Sequence, residues 1–311
     1  MRFIIEALLA SLLVGTAARA EDLESDAVYV PVAADSGVLA VRNPLGSVKV
    51  QGWDQQQVRV IAHKRAGSAD VLGRLKVRVD LTPGKVQITT GFYLSDHTFN
   101  PLPLGGAAID LIIEAPRHME LSAASYAGDV EAAGLRAGAH LSSQAGRIRV
   151  ADMEGPVDTR TLDGNQWLQA IRGSLAATGV VGDMELAGIE GQRVDASVFK
   201  GQIIARDVHA AVVRLHTVAG TILLFGGLSP GARYELGAKQ GDVRLELTER
   251  PFRFVAHSPS VRTGFALERS QAAGVTRGTF AGGGTTELQL ASGSGEVSIM
   301  PLVQSHTSSG L

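Results

Sequence analysis

Two carboxylates in this chain have a spacing that could support catalysis. Asp158 and Asp195 occupy the same position of a repeat described below, with Ala176 at that position in the copy between them. If each copy forms one rung of stacked strands, two rungs place the carboxylates about 9.6 Å apart, comparable with inverting glycosidases. Arg214 and Glu235 stand at the same position in the next two copies, as expected for an ordinary polar face. The spacing therefore leaves open a polysaccharide hydrolase or lyase and a non-catalytic polar surface.

A serine pattern is the second candidate for chemistry. Gly227 to Gly231 reads Gly-x-Ser-x-Gly, with Ser229 at its centre. In hydrolases with this motif the residue after the serine contributes a backbone N–H to the oxyanion hole, and a helix follows. Pro230 has no N–H, and the residues after it alternate as a strand. We interpret the segment as a turn between strands.

Metal or cofactor binding is not predicted. His209 and His216 are the closest pair of histidines, but His216 falls in an outward position and His209 in a turn. The chain contains no cysteine and no HExxH motif, so it lacks the common zinc-ligand patterns. We expect surface histidines and no cofactor.

A glycine-centred repeat must position all of these residues. Each copy reads Gly–polar–apolar–variable–apolar, and self-similarity at a period near 20 is typical of solenoids. The repeat glycines follow at steps of 18, 18, 18, 19, 19 and 21 residues: Gly128, Gly146, Gly164, Gly182, Gly201, Gly220 and Gly241. Apolar residues two and four after each glycine, and seven and five before it, predict two strands per rung with one inward face. The glycine is expected at a structural turn that excludes larger side chains.

The pattern predicts an all-β chain, folded as a parallel β-solenoid (β-helix-like) with 18–19-residue rungs, right-handed, with irregular capping ends. Weaker copies at Gly46, Gly84 and Gly295 extend it, and residues 93–107 form an excursion loop. The predicted organisation is a signal peptide over 1–20, a polar lead-in over 21–35, a solenoid over 36–303 with regular rungs over 121–249, and a disordered tail over 304–311.

The N-terminus and the charge bear on location and partners. Arg2, the apolar run Ala7 to Val14 and the small-x-small site before Glu21 predict a secretory signal peptide, so we expect a periplasmic or extracellular protein. No other apolar run approaches the length of a membrane helix, so no span is expected after cleavage. A net charge of −2 and the absence of a basic stretch argue against nucleic-acid binding.

Three outward positions carry unexpected apolar residues. Ile204 and Leu223 fall three residues after their glycines, where other copies are mostly polar, and Trp167 occupies the same position. An exposed apolar stripe usually marks a contact surface, although residues 250–284 could instead cover it. Gln166 interrupts an inward column, and we expect a local bulge to turn it outward.

The chain resembles a family of exported bacterial proteins with a β-strand-repeat domain of unknown function, labelled "putative adhesins". The resemblance rests on residues 43–50, Asn-Pro-Leu-Gly-Ser-Val-Lys-Val, followed by Gly52-Trp53-Asp54, and on the succession of repeats at 127–130, 145–148 and 200–203. It covers nearly all of residues 36–300 and implies no catalytic residues. The sequence therefore favours a non-enzymatic, adhesin-like binding or scaffolding surface whose partner is an envelope protein or glycan, with a polysaccharide-active enzyme as the alternative.

Overall fold

A computed structural model describes residues 23–24, 28–31, 37–94, 98–100, 106–272 and 274–302. Nearly all of them are in strands or turns, and among them the helix α1 covers only Ala69–Arg74. The all-β prediction is therefore confirmed. The predicted signal peptide, most of the lead-in and the tail 304–311 lie outside the described residues. The chain divides into two compact units, Met1–Gly164 and Asn165–Leu311.

The first unit contains fourteen strands among its described residues, together with α1. Their bounds are β1 Leu23–Glu24, β2 Val28–Pro31, β3 Val38–Leu45, β4 Val48–Trp53, β5 Gln57–Ala66, β6 Leu75–Thr82, β7 Lys85–Tyr93, β8 Phe99–Asn100, β9 Ala107–Pro116, β10 Glu120–Ala127, β11 Val130–Ala133, β12 Ala139–Ala145, β13 Ile148–Glu154 and β14 Val157–Asp163.

Parallel pairing follows the repeat in β10 to β14. β10 pairs with β12, β12 with β14, and β11 with β13, so that Val130 lies opposite Ile148. β3 and β4 join the same stacks, because they pair in parallel with β10 and β11. Residues 54–119 are thus an insertion between two neighbouring rungs, far longer than the predicted excursion 93–107.

The predicted repeat copy at Gly84 is wrong. If Gly84 were equivalent to Gly46, Val86 would be equivalent to Val48, because each lies two residues after its glycine. In the structure β7 pairs with β3, and Val86 lies opposite Leu39. β4 instead pairs with β9, and Gly84, at φ 73°, belongs to the turn of the antiparallel β6–β7 hairpin. The error arose because apolar–variable–apolar fits any half-buried strand, whichever partner it takes.

The second unit contains thirteen strands among its described residues. Their bounds are β15 Gln166–Arg172, β16 Leu175–Val181, β17 Met184–Lys200, β18 Ile203–Ala219, β19 Ile222–Gly226, β20 Arg233–Gln240, β21 Val243–Leu247, β22 Phe252–His257, β23 Ser260–Thr263, β24 Glu268–Ala272, β25 Val275–Phe280, β26 Glu287–Ser292 and β27 Glu296–Pro301.

Parallel pairing again follows the repeat. β15 and β16 both pair with β17, and β17 pairs with β18. β18 pairs with β19 and β20, and β19 pairs with β21. β20 and β21 then pair with β26 and β27, which places Val297 opposite Val243. The copy at Gly295 is therefore the next rung after Gly241, and not three rungs further on. The strands β22 and β23 pair with the other edges of β26 and β27.

Both units contain antiparallel strands, so the sheet is mixed. In the first unit β5 pairs antiparallel with β1, β2 and β9, and β7 with β6 and β8. In the second, β25 pairs antiparallel with β22 and β24. A wholly parallel solenoid of 18–19-residue rungs is therefore not confirmed, and its right-handed sense stays a prediction.

The predicted inward columns form the core. The residues two after the repeat glycines are buried, among them Val130, Ile148, Ile203 and Ile222, each 0% exposed. Fully burying such a side chain contributes roughly 1.5–3 kcal/mol. The inward columns of the repeat therefore stabilise the stack.

Gln166 lies inside this core, so the predicted outward bulge is wrong. Its side chain is 0% exposed, and its Nε2 donates a hydrogen bond of 2.7 Å to the carbonyl oxygen of Thr178. A buried amide is tolerated when its polar atoms find partners, because the hydrogen bond offsets the loss of hydration. The strand therefore keeps its register without a bulge.

A second corner, present in six of the seven regular repeats from Gly128 to Gly241, escaped the sequence analysis. Six residues after the repeat glycine the backbone is left-handed, even where the residue is not glycine, as at Asp152 and Ala170, with φ of 50° and 51°. Asp207 adopts the same conformation, with φ 52°. Five of the six residues at this corner are glycine or aspartate, which favour positive φ, so the composition of this position marks the corner.

Buried hydroxyls form a ladder beside the glycines. In several rungs, a serine or threonine three residues before the repeat glycine donates to the carbonyl oxygen of the repeat glycine in the neighbouring rung. Thr217 Oγ1 lies 3.0 Å from the Gly201 oxygen, and Ser143 Oγ 3.0 Å from the Gly128 oxygen. These bonds give the carbonyl groups at the turns a hydrogen-bond partner.

Acidic or amide side chains directly after the glycines accept backbone N–H groups from the next rung. Asp129 accepts from Arg147 at 2.9 Å, Asp183 from Gln202 at 2.8 Å, and Asp242 from Glu296 at 2.9 Å. The hydrogen bond from the Glu296 N–H has the largest effect on the pKa of the Asp242 carboxyl, and it lowers this pKa below its ordinary value. The Arg244 guanidinium lowers the same pKa further. These carboxylates are structural caps of the rung turns.

We predict that Asp242→Ala lowers the free energy of unfolding by about 1 kcal/mol at pH 7, since a half-exposed charged hydrogen bond is lost. The pKa of the Asp242 carboxyl is lower in the folded than in the unfolded state, so its ionised form stabilises the fold. This contribution is fully present above the unfolded-state pKa of about 3.9 and is lost as the pH falls through the folded-state pKa. The difference from wild type should therefore shrink below about pH 4. Urea denaturation at pH 7, 5 and 3 measures it. Asp242→Asn, which keeps the acceptor, should lose less, and a loss from Asp242→Ala as large at pH 3 as at pH 7 would contradict the assignment.

Candidate binding face

The outward column predicted from the sequence exists in the second unit. Trp167 lies opposite Glu185, Glu185 opposite Ile204, and Ile204 opposite Leu223, on the neighbouring strands β15, β17, β18 and β19. Leu223 in turn lies opposite Arg244 on β21. All three apolar side chains are half-buried and not fully exposed. One column of a sheet face therefore carries Trp167, Ile204 and Leu223.

Phe225 widens this strip on the adjacent column. It lies opposite Arg206, whose guanidinium carbon is 5.3 Å from the centroid of the Phe225 ring. Arg206 also forms an ion pair of 2.6 Å with Glu185. The sequence analysis missed Phe225 because its template ended four residues after the glycine. We define the binding face as Trp167, Glu185, Ile204, Arg206, Leu223 and Phe225.

Polar side chains border the binding face on its other side. The column directly after the glycines carries Asn165, Asp183, Gln202 and Thr221. Asn165 Oδ1 and Asp183 Oδ1 accept backbone N–H groups, from Asp183 and Gln202 respectively, which fixes both side chains at the surface. The face thus combines an apolar centre with a border of oriented hydrogen-bonding groups.

The acidic candidates already have arginine partners. Asp158, in the first unit, forms an ion pair of 3.0 Å with Arg160. Asp195, in the second, contacts Arg193 and lies 3.9 Å from Arg214. A general acid is kept protonated by burial or by a neighbouring carboxylate, and both sites instead have cationic neighbours. The surroundings of these aspartates do not favour acid–base catalysis.

Ser229 and His209 come closer than the sequence suggested. Ser229 Oγ lies 3.4 Å from His209 Nδ1, and the Ser229 N–H donates to the Tyr234 hydroxyl at 2.9 Å. The chain continues into the strand β20 and not into a helix, and Pro230 offers no N–H for an oxyanion. Within the described part of the chain, no cluster of three or more His, Asp or Glu side chains could hold a metal ion.

The described ranges contain no helix with the length and apolarity of a membrane span.

Comparisons with known proteins give a weak likeness. No protein-family model matches the chain, and a search of curated proteins finds no match. Among solved structures, a "putative adhesin" from Bacteroides fragilis is 14% identical with a TM-score of 0.47, covering 71% of this chain and 96% of its own. A "putative adhesin" from Parabacteroides merdae is 9% identical with a TM-score of 0.44, covering 89% of this chain and 96% of its own. A "putative lipid binding protein" from Parabacteroides distasonis is 10% identical with a TM-score of 0.48, covering 88% of this chain and 96% of its own. At these identities and TM-scores the likeness assigns this chain to no family.

Proposed function

We propose that this chain is an exported, non-enzymatic protein of the cell envelope that holds an extended polysaccharide on the binding face. The observation that carries the proposal is the single outward column of Trp167, Ile204 and Leu223, widened by Phe225. Apolar side chains gathered on an otherwise polar sheet face indicate a contact surface.

A sugar chain suits this face in both chemistry and shape. A pyranose ring has an apolar face that packs on aromatic or aliphatic side chains, and a rim of hydroxyls that needs hydrogen-bond partners. On the binding face, Trp167 and Leu223 can pack against the apolar face of the sugar ring. The bordering column with Asn165 and Gln202 can form hydrogen bonds with its hydroxyls. Strands spaced about 4.8 Å apart repeat these groups along one direction, as a polymer requires.

Binding without cleavage follows from the neighbouring charges. Glu185, the carboxylate within the face, is paired with Arg206. Asp195 has two arginine neighbours. A carboxylate paired with arginine suits structure and orientation better than proton transfer.

The test is co-sedimentation of the purified chain with envelope and polysaccharide fractions, while soluble sugar fragments are measured. We expect binding without fragments. Ile204→Ser combined with Leu223→Ser should weaken binding at least about tenfold, since central apolar contacts dominate such interfaces. Trp167→Ala should have a similar effect.

Ile112→Ser is the matched control, because Ile112 is an exposed aliphatic residue of the first unit and not part of the binding face. It should leave binding unchanged. Release of fragments would overturn the non-enzymatic assignment. Equal binding by the control and by the face variants would remove the binding face from the proposal.

A further inference from the structure

A second apolar surface lies on the other strand of each rung in the second unit. Phe199 is 58% exposed and Val180 is 42% exposed, and both lie two residues before their repeat glycines. Val218, half-buried, occupies the same position in the next rung. An exposed phenylalanine beside exposed valines is unfavourable in water, so this patch calls for a ligand.

The patch borders a groove of about 660 Å³. Its floor consists of small residues, which leave space beside the ring of Phe199: Gly237, Ala238, Ala291 and Gly293. His216 packs over Gly237, since a Cβ on that glycine would lie 2.9 Å from His216 Nδ1. The volume is in the range of small-molecule sites, and the groove is open along one side.

The charge of the groove is positive at one end. Lys239 lines it, is exposed, and forms no ion pair with any residue that the structure describes. His216 is also exposed at the rim. No aspartate or glutamate is among the described residues that line the groove. A ligand with one anionic end is therefore complementary to Lys239.

The groove crosses neighbouring parallel strands in the order β16, β17, β18, β20 and β26. Lys239 lies on β20, and three steps of about 4.8 Å from β20 to β16 span about 14 Å, which accommodates an extended alkyl chain. A sheet face presents side chains and no unpaired backbone groups, so it lacks what a peptide strand would pair with. An alkyl chain needs no such partners.

We propose that this groove binds a free medium-chain fatty acid. The alkyl chain lies across β17, β18 and β20 against Phe199 and Val218, over the floor at Gly237. The carboxylate pairs with Lys239. This site is separate from the binding face and does not depend on the polysaccharide proposal.

The experiment is calorimetric titration of the full chain with dodecanoate, and separately with dodecyltrimethylammonium, which has the same alkyl chain and the opposite charge. We expect saturable binding of one dodecanoate and weaker binding of the cation. Phe199→Ala should weaken dodecanoate binding about tenfold or more, which corresponds to the loss of a ring contact. Because the ring is mostly exposed, this variant should keep the wild-type Tm.

Lys239→Glu tests the charge. It should weaken dodecanoate binding about tenfold and favour dodecyltrimethylammonium instead. Lys85→Glu, the same change in the first unit, is the control and should alter neither. Equal binding of both probes with no effect of Lys239→Glu, or the absence of saturation, would overturn the proposal. So would sedimentation showing a wild-type dimer that Phe199→Ala converts to a monomer, since a second copy would then occupy the groove.

Discussion

Gly220→Ala is expected to destabilise the protein by at least about 3 kcal/mol, or to prevent folding. A Cβ on Gly220 would lie 1.9 Å from the carbonyl oxygen of Gly201. This oxygen belongs to the backbone turn of the preceding rung, and it also accepts a hydrogen bond from Thr217. Relief of the overlap would therefore require the two rungs to separate, with loss of their ladder hydrogen bonds.

Gly227→Ala is the matched control in the same unit. There a Cβ would meet only Thr248 Oγ1, at 3.4 Å, which is ordinary contact. We expect a change within about 1 kcal/mol. Urea denaturation and soluble yield of the two variants measure the difference. Similar losses in both would show that close backbone approach does not explain the repeat glycine.

Asn43→Asp is expected to lower the free energy of unfolding by about 3–5 kcal/mol at pH 7. Asn43 is 1% exposed, and its Nδ2 donates to the carbonyl oxygens of Ile109 at 2.8 Å and Gly46 at 2.9 Å. Its Oδ1 accepts from the Thr90 hydroxyl at 2.5 Å. The variant replaces the donor with an oxygen that faces both carbonyl oxygens. One side chain thus joins β3, β7 and β9, and the substitution removes that junction.

The pH dependence of the unfolding free energy shows whether the negative charge of the new carboxylate causes the destabilisation of Asn43→Asp. Burial beside carbonyl oxygens raises the pKa of the introduced carboxyl above its unfolded value, because the protonated form can again donate a hydrogen bond. The destabilisation relative to wild type should therefore shrink as pH falls. Asn165→Asp is the control, since its Oδ1 already acts as an acceptor, from the Asp183 N–H. It should cost less than about 1 kcal/mol, and an equal loss in both variants would contradict the role of Asn43.

The local part of the architecture could be predicted from particular residues. Val130, Ile148 and Ile222 were assigned to the core from alternation alone, and they are buried. Trp167, Ile204 and Leu223 were placed on one outward column, and the observed register aligns them. A constant step between equivalent glycines determines which residues lie opposite each other, as long as neighbouring rungs follow directly in the chain.

The wrong predictions arise where contacts outside the local alternation decide the structure. Val86 has the same alternation as Val48, yet it pairs with Leu39, because β7 returns across the insertion 54–119. The inward position of Gln166 depended on the Thr178 carbonyl being available. The groove beside Phe199 depends on small residues at Gly237 and Ala291, which lie on strands far apart in the sequence.

The sequence by itself therefore determined the strand character, the inward columns, the repeat glycines and the apolar column of the binding face. These follow from side-chain alternation and the close backbone contact at glycine, which act within one or two rungs. Only the tertiary structure decided which strands pair antiparallel, where the insertions enter the stack, and which surface depressions the side chains leave. Those features depend on long-range strand partners, and a period of two residues carries no information about a partner's direction or identity.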